Sequence, residues 1–229
     1  MAIEHPPGHG EHRWPAVVAL LIALGLYLAL PSTFLPGMRY GVAAVGLVLL
    51  VPLIAVNPVR MRRQTTWTRR LSVSQALLLA AANQVALVTL LATLVDPPAD
   101  SGPGLLLAAA QVWLTNVIAF ALVLWELDRG GPVTRFTPLR ADLPPADLRF
   151  AQDEDHDAIE EVAAASSRES GWRPRFGDYL YSSLSNSMAF SASDSIPLSG
   201  RAKALMGLQA FSGFVLLALV IARAVALFG

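Results

Sequence analysis

The chain has 229 residues, of which 54% are hydrophobic and only 15% charged, with a mean hydropathy of +0.50. Soluble domains carry about 25% charged residues, so this composition excludes an ordinary soluble domain and points to a bilayer. Formal net charge is zero and there is no cysteine; the first gives no global field toward nucleic acid, the second excludes disulfides, thiol catalysis and cysteine-ligated metal.

Residues 1–13 (MAIEHPPGHGEHR) are polar, aperiodic and rich in Pro and Gly, which predicts a mobile tail. His5, His9 and His12 with Glu4 and Glu11 are a loose metal-ligating set, but the Pro/Gly context does not supply the fixed geometry a metal site needs. The apolar runs Trp14–Leu30 and Tyr40–Val56 sit near the lower end of the about 17–25 residues that cross a bilayer. Between them, Pro31-Ser32 and Pro36-Gly37 form a turn, so the pair reads as a transmembrane hairpin. A cleaved signal peptide is the competing reading of the first run, against which stand its weakly basic start and its Leu-Pro-Ser boundary.

Arg60, Arg62, Arg63, Arg69 and Arg70 crowd into 57–71 (NPVRMRRQTTWTRRL). By the positive-inside rule this loop is cytoplasmic, with a lipid-headgroup site as its functional alternative. Ser72–Val95 is the third expected span. The following loop, DPPADSGPG, carries two Asp and no Lys or Arg and is expected outside; Leu105–Leu127 is the fourth span. Asn83 and Gln84 in one, and Gln111, Thr115 and Asn116 in the other, must find partners in hydrocarbon. Hydrogen bonds between helices are the usual solution, a polar pathway the alternative.

Residues 128–176 form the one sizeable hydrophilic connector. Gly130-Gly131-Pro132, Pro138 and Pro144-Pro145 predict an irregular first half, and Asp153–Arg168 predicts a solvated helix with acids in its first turns. Its consecutive acids lack calcium-loop spacing. The last span is expected over Ala202–Phe228, with Gln209, Ser212 and Gly213 as lining or close-packing positions and Arg223 snorkelling at the far end.

Before that span lies DYLYSSLSNSMAFSASDSIPLSGRAKALMGLQ (178–209). It is read as a short membrane-associated helix, Tyr179–Ala189, a Ser-rich turn and the final helix, too short and polar for a span and suited to backbone folded into the bilayer around a cavity. The expected fold is therefore an all-α polytopic membrane protein with five transmembrane helices plus one short re-entrant, pore-helix-like segment. Its parts are a tail (1–13), a four-helix region (14–127), the connector (128–176) and the re-entrant helix, turn and last span (177–229). Parity puts the N-terminus in the cytoplasm and the C-terminus outside, in a cell inner membrane, and places Arg201 and Lys203 on the cytoplasmic side, as the same rule requires.

The pattern DYLY-x3-SN-x-MAFSASDSIPLS-x-RAKALM-x2-Q, followed by an apolar helix ending VIARAV, resembles a bacterial integral-membrane family of unassigned activity, the DUF1345-type proteins. That family has an FT-x-F-x-x-SD turn before its last helix and the same order of elements. More remotely, the stretch is similar to the pore helix, filter and inner helix of potassium channels. That similarity sets Asp194 on the aspartate closing the filter signature TVGYGD, Pro197 and Ser199 on the Pro and Thr beyond, and Ser191 and Ser193 on the two filter glycines. Glycine permits the positive dihedrals that align filter carbonyls; with Ser there, a dehydrating potassium filter is not expected.

The resemblance implies a homo-oligomer passing monovalent cations without potassium selectivity. Ser185 and Asn186 would lie on the re-entrant helix, and Ser187, Phe190, Ser191, Ser193 and Asp194 would form the filter-like turn. Parity sends this loop in from the cytoplasm, opposite to potassium channels. The alternative is a non-conducting membrane scaffold or partner-binding protein, with Asp194 as a cap or paired to Arg201. No enzyme activity, cofactor, metal or nucleic-acid partner is expected: intramembrane metal motifs, paired aspartates and Gly-x-Ser-x-Gly are missing from the sequence, and the one histidine beyond the tail, His156, sits in the polar connector.

Overall fold

The computed structural model describes residues 3–4, 10–31, 36–95, 102–136, 142–154, 159–166, 170–188 and 195–228. The chain is mostly helical: α1 (Trp14–Leu28), α2 (Pro36–Val56), α3 (Thr66–Val95), α4 (Gly102–Leu127), the single turn α5 (Glu160–Ala163), α6 (Phe176–Ser187) and α7 (Gly200–Phe228). Among the described residues, four helices are long and apolar enough to cross a membrane, over Gly37–Val56, Thr66–Val95, Gly104–Gly130 and Gly200–Ala226. The first expected span is shorter than its apolar run. Helix α1 stops at Leu28 after 15 residues, about 22 Å at 1.5 Å per residue, against a hydrocarbon core of about 30 Å.

Helix α4 is the centre of the bundle. Val117–Trp125 is buried on every side, because α1, α3, α6 and α7 all pack on it; an unbroken apolar run such as IAFALVLW suits a helix with no exposed face. The surrounding helices keep one face in and one out. Along α1, Ala16, Leu20, Ala23, Leu24 and Tyr27 are buried while Val18, Leu21 and Ile22 are exposed. Tyr27 Oη donates to Ala82 O at 2.8 Å and Gln75 Nε2 to Gly46 O at 2.7 Å, tying α3 to α1 and to α2 through bonds whose loss in an apolar interior would be costly.

Helix starts and stops follow from local chemistry. Asn57 closes α2 and folds the next loop, its Oδ1 accepting from Arg62 N and Arg63 N at 3.0 Å and its Nδ2 donating to Arg63 O at 2.7 Å. Thr65 and Thr68 cap α3 reciprocally, each side-chain oxygen accepting the other's backbone N–H at 3.2 and 3.0 Å. Arg69 and Arg70 therefore lie in the first two turns of α3 rather than in the loop.

The N-terminal segment, the α2–α3 loop, the end of α4, the connector and the starts of α6 and α7 gather at one basic end. Strand β1 (Ile3–Glu4) pairs antiparallel with β2 (Arg63–Gln64). Gly10–Arg13, predicted to belong to a mobile tail, is fixed here: Met61 N donates to Glu11 O at 2.9 Å, Arg13 N to Val59 O at 3.0 Å, and Arg60 Nη1 to Gly10 O at 3.0 Å. Glu11 is buried. The histidines His5 and His9 lie outside the described residues.

After α4 the chain reverses through left-handed backbone at Arg129 (φ 49°), Gly130 (φ 73°) and Gly131 (φ 94°), two of the three being the residue type that adopts it freely. Of the helix expected over Asp153–Arg168, residues 155–158 and 167–169 lie outside the described residues. Among the described ones, Ala151–Asp153 is a 3-10 turn, and α-helix is confined to Glu160–Ala163. Asp153 is drawn inward, accepting from Arg129 Nη2 at 2.6 Å and Phe150 N at 3.1 Å. Strand β3 (Leu148–Phe150) pairs antiparallel with β4 (Ser195–Pro197), with Leu148 opposite Pro197 and Phe150 opposite Ser195.

Candidate functional site: a polar seam anchored by a buried ionic cluster

Helix α6 begins at the basic end. Phe176 N donates to Glu11 Oε1 at 2.5 Å, and Asp178 caps the first turn by accepting from Arg175 N at 2.7 Å. From there the helix runs inward along α4, burying Tyr179, Ser182, Ser183, Ser185 and Ser187. Ser183 Oγ reaches Val117 O at 2.7 Å, ten residues inside the end of α4. At its other end, Ser187 O lies against Gly213: a Cβ built there would stand 2.6 Å from it. Gly213 is thirteen residues into α7, about 20 Å along its axis. The next described segment, β4, is back at the basic end beside β3, and Leu198 N donates to Asp147 O at 2.8 Å. The start of α6 and strand β4 thus lie at the same end of the bundle.

Deep in the bundle, polar side chains of α3, α4, α6 and α7 form one seam. Asn116 Oδ1 accepts from Asn83 Nδ2 and Gln84 Nε2, both at 3.0 Å. Gln84 Oε1 accepts from Ser212 Oγ at 2.9 Å. One turn earlier on α7, Gln209 Nε2 donates to Ser183 Oγ at 2.6 Å and Ser183 O at 3.0 Å, while Asn186 Nδ2 donates to Gln209 Oε1 at 3.0 Å and Met206 O at 2.9 Å. Gln209 and Ser212, three residues apart, share a face of α7, so one helix holds both halves of the seam. Gln111 Nε2 donates to Ala29 O at 3.3 Å, and Thr115 Oγ1 bonds back to Gln111 O. The expected helix-to-helix bonds of Asn83, Gln84, Gln111 and Asn116 are present in this form.

Of the sequence-predicted site residues, Asn186 meets Gln209 and Ser187 meets Gly213 on the α6–α7 contact, while Ser185 is buried on α6 and Ser212 turns to Gln84 of α3. Ser187 Oγ bonds within α6, to Ser183 O and Leu184 O at 3.0 Å. Phe190, Ser191, Ser193 and Asp194 lie outside the described residues. Arg201, weighed as a partner of Asp194, pairs with Asp147, through Nε at 2.8 Å and Nη2 at 2.5 Å. Ser199 caps α7, accepting from Ala202 N at 3.1 Å while donating to Asp147 Oδ1 at 2.5 Å.

Sequence reasoning missed the cluster that anchors this seam. Asp128, fully buried, accepts from Asp147 N at 2.7 Å, Leu148 N at 3.2 Å, Arg129 Nη1 at 3.1 Å and Tyr179 Oη at 2.5 Å. One carboxylate therefore fastens the connector and α6 to the end of α4. Arg135, also fully buried, donates from Nη1 to Trp125 O at 2.7 Å and Asp128 O at 3.0 Å, stacks 4.8 Å over the Tyr179 ring, and lies 3.6 Å from Glu11. Glu11 also accepts from Trp125 Nε1 at 3.0 Å. Burial raises the Glu11 pKa, outweighing the attraction of Arg135 and the donors Phe176 N and Trp125 Nε1 that favour its charge. The available signal was the charged pair Glu126 and Asp128 directly after an apolar run, since acids held at a helix end inside a bundle need named partners.

Comparison with family models, with curated proteins and with solved structures finds no match to this chain.

Proposed function

We propose that Phe176–Pro197 is a re-entrant, pore-loop-like segment, and that the chain acts as a multi-pass inner-membrane protein assembled as a channel-like homo-oligomer without potassium selectivity. The observation that carries this reading is the path of α6: it enters from the basic end, brings Ser183, Asn186 and Ser187 to mid-depth against α7, and the chain returns to the same end at β4. Such backbone is tolerated at membrane depth where protein or a water-filled cavity surrounds it. With the Arg-rich end cytoplasmic, the short α1 crosses where the bilayer thins to match it, α2 to α4 cross in turn, α6 dips in and out, and α7 carries the C-terminus outside. One loop cannot ring an ion, so the pore requires several copies, with Ser191, Ser193 and Asp194 at the constriction. Ser at the filter-glycine positions disfavours aligned carbonyls, which suits a wider, hydrated passage for monovalent cations.

The second reading, a non-conducting scaffold, is favoured by one observation: Asn186, Gln209 and Ser212 all use hydrogen bonds inside a single chain. Size measurement in detergent with cation flux in proteoliposomes separates the two. The channel reading predicts a symmetric oligomer whose flux is altered by Asp194→Asn; a stable monomer without flux contradicts it.

A further inference from the structure

A cleft opens at the basic end between α1, α2, α3 and the end of α4, enclosing about 670 Å³ of space that includes its open mouth. Its walls divide by chemistry. Arg13, Arg63 and Arg69 stand at the polar part together with one acid, Glu126; Val17, Leu20, Leu50 and Leu53 line the apolar part.

Of these, Arg69 and Arg13 act electrostatically on Glu126, and that carboxylate is already engaged. Glu126 Oε2 takes Arg69 Nη1 at 2.6 Å and Ser72 Oγ at 3.0 Å. Arg69 is held in place from behind by Gly131, whose missing side chain makes room for it: a Cβ there would lie 2.5 Å from Arg69 Nη1. Arg13 is positioned by its own backbone bond to Val59 O. Its Nε is buried without a hydrogen-bond partner among the described residues, and burial lowers its pKa against the pull of Glu126. Arg13 itself lines the cleft, and a bound oxyanion would accept a charge-assisted bond from its guanidinium. The apolar walls belong to α1 and to the candidate membrane span of α2, so the same cleft offers hydrocarbon contact beside its cationic part.

We propose that this cleft binds one anionic phospholipid, with the phosphate at Arg13 and Arg69 and an acyl chain against Val17, Leu20, Leu50 and Leu53. The site holds α1, the shortest of the apolar helices, against α2 and α3 at the end where the connector docks. It stands independently of the pore-loop reading.

The test uses the full chain in a neutral detergent, with thermal unfolding and native mass spectrometry read after adding phosphatidylglycerol, phosphatidylcholine or inorganic phosphate. Phosphatidylglycerol is expected to raise the unfolding temperature and to remain bound, while the other two do neither. Arg13→Gln is expected to weaken its retention by about tenfold, the scale of one charge-assisted bond, and Arg13→Lys, which keeps the charge but not the planar fork, by less. Arg70→Gln, outside the cleft, leaves it unchanged. Equal binding of phosphatidylcholine, equal stabilisation by inorganic phosphate, or equal losses in Arg13→Gln and Arg70→Gln would each overturn the proposal, the last by showing diffuse surface attraction instead of a site.

Discussion

Asp128 is the residue on which most separate parts of the chain converge. Its carboxylate meets two backbone N–H groups of the connector, the guanidinium of Arg129 and the hydroxyl of Tyr179 on α6. In a buried setting, removing one partner of such a group leaves the others uncompensated, at a cost of about 3–5 kcal/mol. Asp128→Ala is therefore expected to lower stability by that order in reversible detergent unfolding, or to prevent accumulation of folded protein. Asp128→Asn, which keeps an acceptor for the two N–H groups but loses the charge facing Arg129, should fall between. If Asp128→Ala unfolds like the parent, the carboxylate does not anchor the connector.

At the scale of elements, α6 and α7 meet where side chains are smallest. Gly213 admits the end of α6, and a methyl group there would stand 2.6 Å from Ser187 O, whereas Gly207, two turns earlier, has nothing within 4 Å. Gly213→Ala must push α6 away from α7 and is expected to cost about 1–3 kcal/mol, as overpacking does; Gly207→Ala should cost nothing. Equal effects in the two variants would mean that helix propensity, not the contact, sets the result.

Elements of this kind were unequally legible in the sequence. The long apolar helices, the short amphipathic helix before the last one and the mutual pairing of Asn83, Gln84 and Asn116 follow from periodicity and from the cost of unpaired polar groups in hydrocarbon. The docking of Glu11 with Phe176 and of Asp128 with Tyr179 did not, because the partners lie 165 and 51 residues apart and the Pro- and Gly-rich connector between them has no period to read. The start of the expected acidic helix shows a related effect. Asp153 suits a helix N-terminus locally, yet an ion pair with Arg129 claims it, a tertiary bond that outweighs local propensity.

The whole molecule is polarised along its long axis. One end collects most of the arginines, the ionic cluster, both two-stranded ribbons and the cleft lined by Arg13 and Arg69, while Arg39 at the start of α2 and Arg223 near the end of α7 lie toward the other. In the proposed orientation, which follows the positive-inside rule, α6 enters from the cytoplasmic face and β4 lies at that same face. The pore reading, the scaffold reading and the sidedness of the C-terminus all depend on that path. The absence of native cysteine permits single thiols to be placed at Gly177 and Ile196, both exposed at the basic end, and probed with an impermeant maleimide in right-side-out and inside-out vesicles. Labelling of both positions in inside-out vesicles alone is the predicted result; labelling of the two from opposite faces would show that this segment crosses the membrane and would contradict the re-entrant account.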